Sequence, residues 1–286
     1  MLTAENEKGQ KVIAVETEKT DGPFHCPECQ KETVLHKGKI KVHHFAHKPP
    51  VSCECGKGES EEHRQCKYEI YSELKKDGRF DCELEKPLGK VRPDIWLLSK
   101  ATGNQCAIEV QISVLTMDKI IYRTEQYNKL GVYVLWLSPY SEALDEDVYA
   151  PKSWEKWVHA TYFGRVYYWQ KELTVVPVHF GEHQKYIDES TWYETGGHEM
   201  SAGGYFKSMK RTKTISKGDP VEITKAFKPV QRDAWRGGDI VIPKCRILSD
   251  TQSPWWKTKS KPSQPYRPVL VTENGRKAPA FRHGDG

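Results

Sequence analysis

The reading of this chain turns on one stretch. It runs Arg92-Pro93-Asp94-Ile95-Trp96-Leu97-Leu98-Ser99, passes through a polar turn over residues 100–105, and continues Cys106-Ala107-Ile108-Glu109-Val110-Gln111-Ile112-Ser113. Both arms are rich in β-branched and apolar residues, and Gly103-Asn104 lies between them, which predicts a β-hairpin. Side chains alternate along a strand, so Glu109 and Gln111 point to one side and Ile108 and Val110 to the other. Asp94 opens the first arm, and pairing across the turn brings it towards Glu109 and Gln111. Two carboxylates and an amide then meet at one end of an apolar hairpin. Such oxygens suit Mg²⁺ or Mn²⁺, which need few protein ligands and keep open positions. Glu109 sits in a run that reads as a central strand, where an unpaired carboxylate is costly. It therefore needs a metal or a cation beside it, and Arg92 is the rival to the metal.

Working outward, residues 57–77 read as a helix, with acids in the first turn and Asp77-Gly78 at its end. Glu59, His63, Lys67, Ile70 and Leu74 lie near one face of it. Residues 79–87 read as a strand, residues 116–130 as an amphipathic helix stopped by Gly131, and residues 132–137 as a buried strand. The order is α-β-β-β-α-β. Arg123 and Tyr127, one turn apart on the second helix, either face a polyanion or, in the case of Tyr127, pack in the core.

Before this core, Lys11–Glu16 reads as a strand. Residues 24–55 hold Cys26-Pro27-Glu28-Cys29, His43-His44-Phe45-Ala46-His47 and Cys53-Glu54-Cys55. Two cysteines two residues apart can grip one ion from a tight turn, and a histidine pair at a distance can complete the set. Segments this short bury little core, so a bound Zn²⁺ would supply folding energy. The expected ligands are Cys26, Cys29, His44 and His47, with His43, Cys53 and Cys55 as alternates.

The order Pro93-Asp94 … Glu109-x-Gln111 resembles the PD-(D/E)xK nuclease motif, with Gln in place of the usual Lys. More narrowly, the chain resembles the CoiA-like competence protein family over roughly residues 20–180. The likeness is carried by His44-Phe45-Ala46-His47, Glu59-Ser60-x-x-His63-x-x-x-Lys67, Arg92-Pro93-Asp94, Ile108-Glu109-Val110-Gln111-x-Ser113 and Val134-Leu135-Trp136. The resemblance implies a restriction-endonuclease-like α/β core behind an N-terminal Cys/His zinc module. It implies metal-dependent hydrolysis of DNA phosphodiester bonds in competence or recombination. Asp94 and Glu109 would bind Mg²⁺ or Mn²⁺, and Gln111 would stand in the lysine's place. Glu59, Glu62 and His63 on the first helix are candidates for a further site residue. An amide can orient a water but supplies neither charge nor a transferable proton, so His63 or Lys67 would have to compensate. Lys67, Arg92, Arg123 and Tyr127 are the candidate DNA contacts. The alternatives are a DNA-binding recombination accessory that keeps the fold without cutting, and a zinc-stabilised protein-interaction module.

The rest of the chain bounds the class. At 286 residues, 37% apolar and 29% charged, it suits a folded water-exposed protein. No apolar run reaches the roughly 18 residues that span a bilayer, and residues 1–11 carry no apolar signal core. A cytoplasmic location is the expectation, with the eight cysteines serving as metal ligands and free thiols. Residues 201–286 hold 18 Lys and Arg against 7 Asp and Glu, a surplus larger than the whole chain's +5. This basic extension, with Trp235, Trp255, Trp256 and Tyr266 to stack on bases, points to nucleic acid. Residues 150–180 read as a helix and two strands whose aromatics pack beside the core or face DNA. Residues 181–218 read as loop or linker, residues 239–243 as an apolar island, and residues 257–286 as a flexible end. The expected divisions are therefore 1–56, 57–180 and 181–286.

Overall fold

The computed structural model describes residues 1–50, 53, 55, 59–113 and 115–257. The chain opens with five short antiparallel strands: β1 (Thr3–Glu5), β2 (Lys11–Ile13), β3 (Phe24–His25), β4 (Glu32–His36) and β5 (His44–His47). They form one sheet in the order β2-β1-β3-β4-β5. Met1, Ala4, Phe24, Leu35 and Phe45 fill a small core under it, with Cys26 and Cys55. So little apolar surface makes a weak module by itself.

Helix α1 (Glu61–Asp77) follows. It starts where the Ser60 hydroxyl accepts from the His63 N–H at 3.2 Å, so it begins four residues later than the periodicity predicts. Gly78 ends it at φ 68°, a left-handed conformation that only glycine adopts cheaply. Cys66, Lys67, Ile70, Tyr71 and Leu74 form its buried face. Strands β6 (Phe80–Leu84), β7 (Ile95–Ser99) and β8 (Gln105–Val110) then make an antiparallel meander. Helix α2 (Met117–Lys129) crosses over and delivers β9 (Tyr133–Pro139) parallel to β8, with Glu109 opposite Trp136. The α-β-β-β-α-β order is thus present.

The sheet continues beyond it. After β10 (Val148–Tyr149) and α3 (Ser153–Thr161), strand β11 (Val166–Lys171) lies parallel to β9, and β12 (Thr174–Ile187) pairs antiparallel with β11. Trp154, Trp157, Tyr162, Tyr167 and Tyr168 are all buried. The aromatic-rich segment therefore packs mainly into the core, with Phe163 left 47% exposed. The expected division at residue 180 falls inside β12. Residues 181–218 are not a linker: β12 pairs along its outer half with β15 (Tyr205–Lys217), and β13 (Ser190–Tyr193) and β14 (Glu199–Ala202) form a hairpin between them. Glycine, serine and lysine there belong to turns and solvent-facing strand positions, which composition does not separate from loop. Gly203 (φ 103°) is one such turn, since a Cβ would lie 2.0 Å from the Asp188 carbonyl oxygen.

Further on come β16 (Val221–Glu222), α4 (Ile223–Ala226), β17 (Phe227–Arg232), β18 (Trp235–Gly237), β19 (Ile240–Ile242) and β20 (Cys245–Asp250). The apolar island becomes β19, paired with β18. Strand β20 pairs with β17 and touches β9 in parallel. The principal sheet runs β10-β15-β12-β11-β9-β8-β7-β6. Residues Met1–Gln252 are one compact unit, and the chain from Ser253 is a second. Within that second unit Trp255 and Trp256 meet edge-on at 4.6 Å. Tyr266 and the expected flexible end from residue 258 onward lie outside the described residues.

Candidate active site and metal centre

The pairing Ile95↔Ile108 sets Asp94 and Glu109 at the open end of the β7–β8 hairpin. The Asp94 carboxylate reaches across the mouth, and its Oδ2 accepts from the Val110 N–H at 2.9 Å. Helix α1 comes in from above. The His63 Nε2 lies 3.2 Å from Asp94 Oδ2 and its Nδ1 3.6 Å from Glu59 Oε1. Lys67, one turn further, is 2% exposed. Its ammonium lies 2.7 Å from Glu59, 2.6 Å from Glu85 and 3.2 Å from Asp94. Burial works against ionised Asp94, but the Lys67 ammonium, the His63 ring and the Arg123 guanidinium outweigh it and hold the carboxyl well below the usual range. Burial likewise opposes a charged Lys67, yet Glu85, Asp94 and Glu59 raise its pKa well above the ordinary value.

Glu109 is buried beneath α2, where Arg123 and the Tyr127 hydroxyl both donate to its Oε1. Burial pushes its carboxyl up, Arg123 partly restores it, Asp94 raises it again, and it rests at about 7. The cation beside Glu109 is therefore Arg123. Arg92, the expected one, turns the other way: its guanidinium donates to Cys55 Sγ at 2.7 Å and pairs with Glu28 at 3.3 Å. Its carbonyl oxygen accepts from Arg123 at 3.1 Å. Tyr127 has no exposed surface, which removes it from the candidate DNA contacts, and the enclosure of Lys67 removes that residue too. Gln111 spends its amide locally, donating to the Ser113 carbonyl oxygen at 2.7 Å. Glu62 is exposed on the first turn of α1.

The N-terminal sheet carries a second constellation. Cys26, Cys29, His47 and Cys53 offer ligand atoms that all lie within 4.8 Å of one another, the one such group of three or more among the described residues. Cys26 Sγ and Cys53 Sγ are 3.9 Å apart, and Cys29 Sγ lies 3.3 Å from His47 Nε2. A tetrahedral zinc with Zn–S bonds of about 2.3 Å holds its sulfurs about 3.8 Å apart, so this set can take a metal ion such as zinc. Cys53 stands where His44 was expected. The reason is strand geometry: residues 44 and 47 are three apart on β5, and an odd spacing sends them to opposite faces. On the far face His44 sits opposite His36, the rings stacked at 5.1 Å, with its Nδ1 2.9 Å from the Val42 carbonyl oxygen. Burial pushes the Cys26 and Cys53 thiols up to about 11. Binding a cation as thiolates would therefore release protons. His43 and Cys55 are outside the group, and Cys55 instead contacts Arg92 and the Met1 sulfur.

Two family models match this chain. "Competence protein CoiA, N-terminal domain" matches residues 7–56, and "Competence protein CoiA, nuclease-like domain" matches residues 59–162. Together they span just over half of the sequence. The chain belongs to the CoiA-like competence proteins. No curated protein and no solved structure matches it.

In this CoiA-like chain the N-terminal match holds Cys26, Cys29, His47 and Cys53, and the nuclease-like match begins at Glu59 and holds the whole hairpin mouth. Glu85 joins the two, and sequence reasoning passed over it. It follows β6 at φ 49° and is buried. Its carboxylate accepts from the Leu2 N–H at 3.1 Å and from the Thr3 hydroxyl at 2.7 Å while also holding Lys67. In the run Glu83-Leu84-Glu85-Lys86 it looks like one more alternating surface charge. The positive φ that turns it inward leaves no trace in residue type. No helix among the described residues is long and apolar enough to cross a membrane.

Proposed function

We propose that this chain is a divalent-metal-dependent nuclease with a restriction-endonuclease-like core, hydrolysing DNA phosphodiester bonds in competence-linked DNA handling. One observation carries the reading: Asp94 and the buried Glu109 sit on neighbouring strands at one hairpin mouth, with the Asp94 carboxylate on the Val110 N–H. The carboxylate oxygens of Asp94 and Glu109 are the hard donors that Mg²⁺ or Mn²⁺ takes, and the Val110 carbonyl would join them. When bound, the ion would neutralise phosphate charge and make a water nucleophilic near neutral pH. His63, half-buried beside Asp94 and able to hand on a proton, takes the acid–base role that an amide at position 111 cannot. Lys67 restores the missing positive charge, but its ammonium is enclosed by Glu59, Glu85 and Asp94, so it positions Asp94 from behind. Arg92 and Arg123, with Lys90, Tyr122 and the single acid Glu28, line a cleft of about 290 Å³, and this surplus of cations supports a DNA-backbone role for those two arginines. Zn²⁺ in the Cys26, Cys29, His47 and Cys53 set would tie the loops of the N-terminal module together.

The test is cleavage of single- and double-stranded DNA with Mg²⁺ or Mn²⁺. Asp94→Asn and Glu109→Gln abolish cutting, whereas Gln111→Ala retains it because that side chain is turned to Ser113. A second reading, a DNA-binding accessory that does not cut, is favoured by the protein's own cations already neutralising Asp94 and Glu109. Wild-type protein that binds DNA yet cuts no tested form would establish that reading and end the first.

A further inference from the structure

The outer half of the β12–β15 pair lies beyond both family matches and has no role in the chemistry above. The sheet register places it. Val110 is level with Leu137, Leu137 with Tyr167, and Tyr167 with Pro177. Strand β12 runs antiparallel from there, so His183–Ile187 leave the sheet at the edge opposite the Asp94–Glu109 mouth. Among the described residues, His183–Ile187 and Tyr205–Met209 pair only with each other. They form a two-stranded ribbon, and a bare ribbon is marginal in water.

Its side chains are not those of an inert ribbon. Lys185 sits directly opposite Lys207, and like charges at that distance are destabilising. At the ribbon's base the register slips: Glu182 faces Lys213 and His183 faces Met209, so Lys210, Arg211 and Thr212 bulge out of the ladder. The His183 ring closes the bulge, its Nδ1 2.7 Å from the Thr212 hydroxyl oxygen, and Lys210 and Arg211 are exposed. None of Lys185, Lys207, Lys210 and Arg211 has an ion-pair partner among the described residues. One position along, and therefore on the ribbon's other face, Tyr186 and Phe206 meet edge-to-face at 5.1 Å while remaining 47% and 59% exposed. Of the acids of this arm, Asp188, Glu189, Glu194 and Glu199 gather towards its tip, and Glu182 at its base faces Lys213 and accepts from the Ser208 hydroxyl, which leaves the cations of the lower ribbon to an anion.

We infer that this ribbon is a binding arm for single-stranded nucleic acid. A flexible single strand wrapping the narrow ribbon sets its phosphates against the unpaired cations and its bases against Tyr186 and Phe206 on the other face. Single strands are the partner because a duplex hides its base faces, leaving exposed aromatic rings without a role, whereas every unpaired base offers one. The opposed lysines are relieved by the same phosphates. The inference does not rest on cleavage, since the ribbon and the carboxylates are at opposite edges of the sheet.

The experiment is fluorescence anisotropy of a labelled oligothymidylate with the full chain, without added Mg²⁺ or Mn²⁺, so that cutting plays no part. The K185Q/K207Q/K210Q/R211Q variant should bind at least tenfold more weakly. Its log Kd against log salt slope should fall by up to about 3, at roughly 0.7 per lost phosphate contact on a single strand. The Y186S/F206S variant should also weaken binding about tenfold but keep the wild-type slope. All six side chains are exposed, so circular dichroism and the unfolding of the core stay as in the wild type, and a variant that loses binding has not lost its fold. Wild-type affinity and slope in the quadruple variant would overturn the inference, as would equal weakening on a duplex of the same sequence. A wild type that binds through the ribbon and never cuts DNA would instead defeat only the nuclease reading.

Discussion

Replacing Lys67 by Met tests the centre of the site. The substitution keeps the length and the apolar stem and removes only the ammonium. That ammonium lies 2.7, 2.6 and 3.2 Å from Glu59, Glu85 and Asp94 and is 2% exposed. Breaking a buried ion pair by deleting one partner costs about 3–5 kcal/mol, because the other charge stays buried. Three carboxylates are orphaned here, but each keeps other help. Glu59 keeps the Met1 ammonium at 2.8 Å, Glu85 the Leu2 and Thr3 N–H groups, and Asp94 the Val110 N–H. The loss should therefore be about 4 kcal/mol, a large share of the roughly 5–15 kcal/mol that holds a domain together. Urea unfolding near neutral pH measures it. The sign with pH follows from the depressed carboxyls. Glu85 and Asp94 contribute stability above their unfolded pKa values, near 4, and lose it as pH falls below them. The deficit of the variant should therefore be full above about pH 5 and shrink towards about pH 3. Adding Glu85→Gln should recover part of it, with a coupling energy of about 1–3 kcal/mol in the double-mutant cycle. A loss below about 1 kcal/mol, or one that does not change with pH, would refute the argument that these charges are buried together.

Three further outcomes are expected. Cys53→Ser should lower bound zinc, measured by metal analysis of purified protein, while His44→Ala leaves it unchanged; the reverse pattern would restore His44 to the ligand set. His159 is half-buried with its Nε2 accepting from the Phe180 N–H at 3.1 Å, and desolvation, with the neighbouring His179, lowers its pKa to about 4. It stays neutral when folded and takes a proton on unfolding, so its contribution is complete above about pH 6.5 and declines between there and pH 4. That is about 2 kcal/mol by pH 5, and His159→Phe should flatten this limb of the stability–pH curve. Gly203→Ala should open the turn at the tip of the ribbon, because its Cβ would meet the Asp188 carbonyl. Limited proteolysis should then cut near residues 188–204 while the core resists.

The local order of elements and the chemical types at the site are legible in the chain itself. The helix ending at Gly78, the hairpin around Gly103-Asn104 and the buried run of β9 are written in periodicity, turn residues and caps, which are properties of neighbouring residues. The same local signals brought Asp94 and Glu109 to one hairpin mouth and grouped Cys26, Cys29 and His47. Which cation meets which carboxylate is set by the packing of one element on another. Arg123 rather than Arg92 stands beside Glu109 because α2 packs over that end of β8, a contact no window of sequence contains. His44 leaves the metal group because its segment is a strand, and the same spacing on a helix would have kept both histidines on one side. Residues 181–218 looked like a linker because a solvated two-stranded ribbon has no buried face to imprint periodicity on its sequence. Glu85 was invisible for a related reason: its burial depends on one backbone turn and on a strand more than eighty residues earlier in the chain.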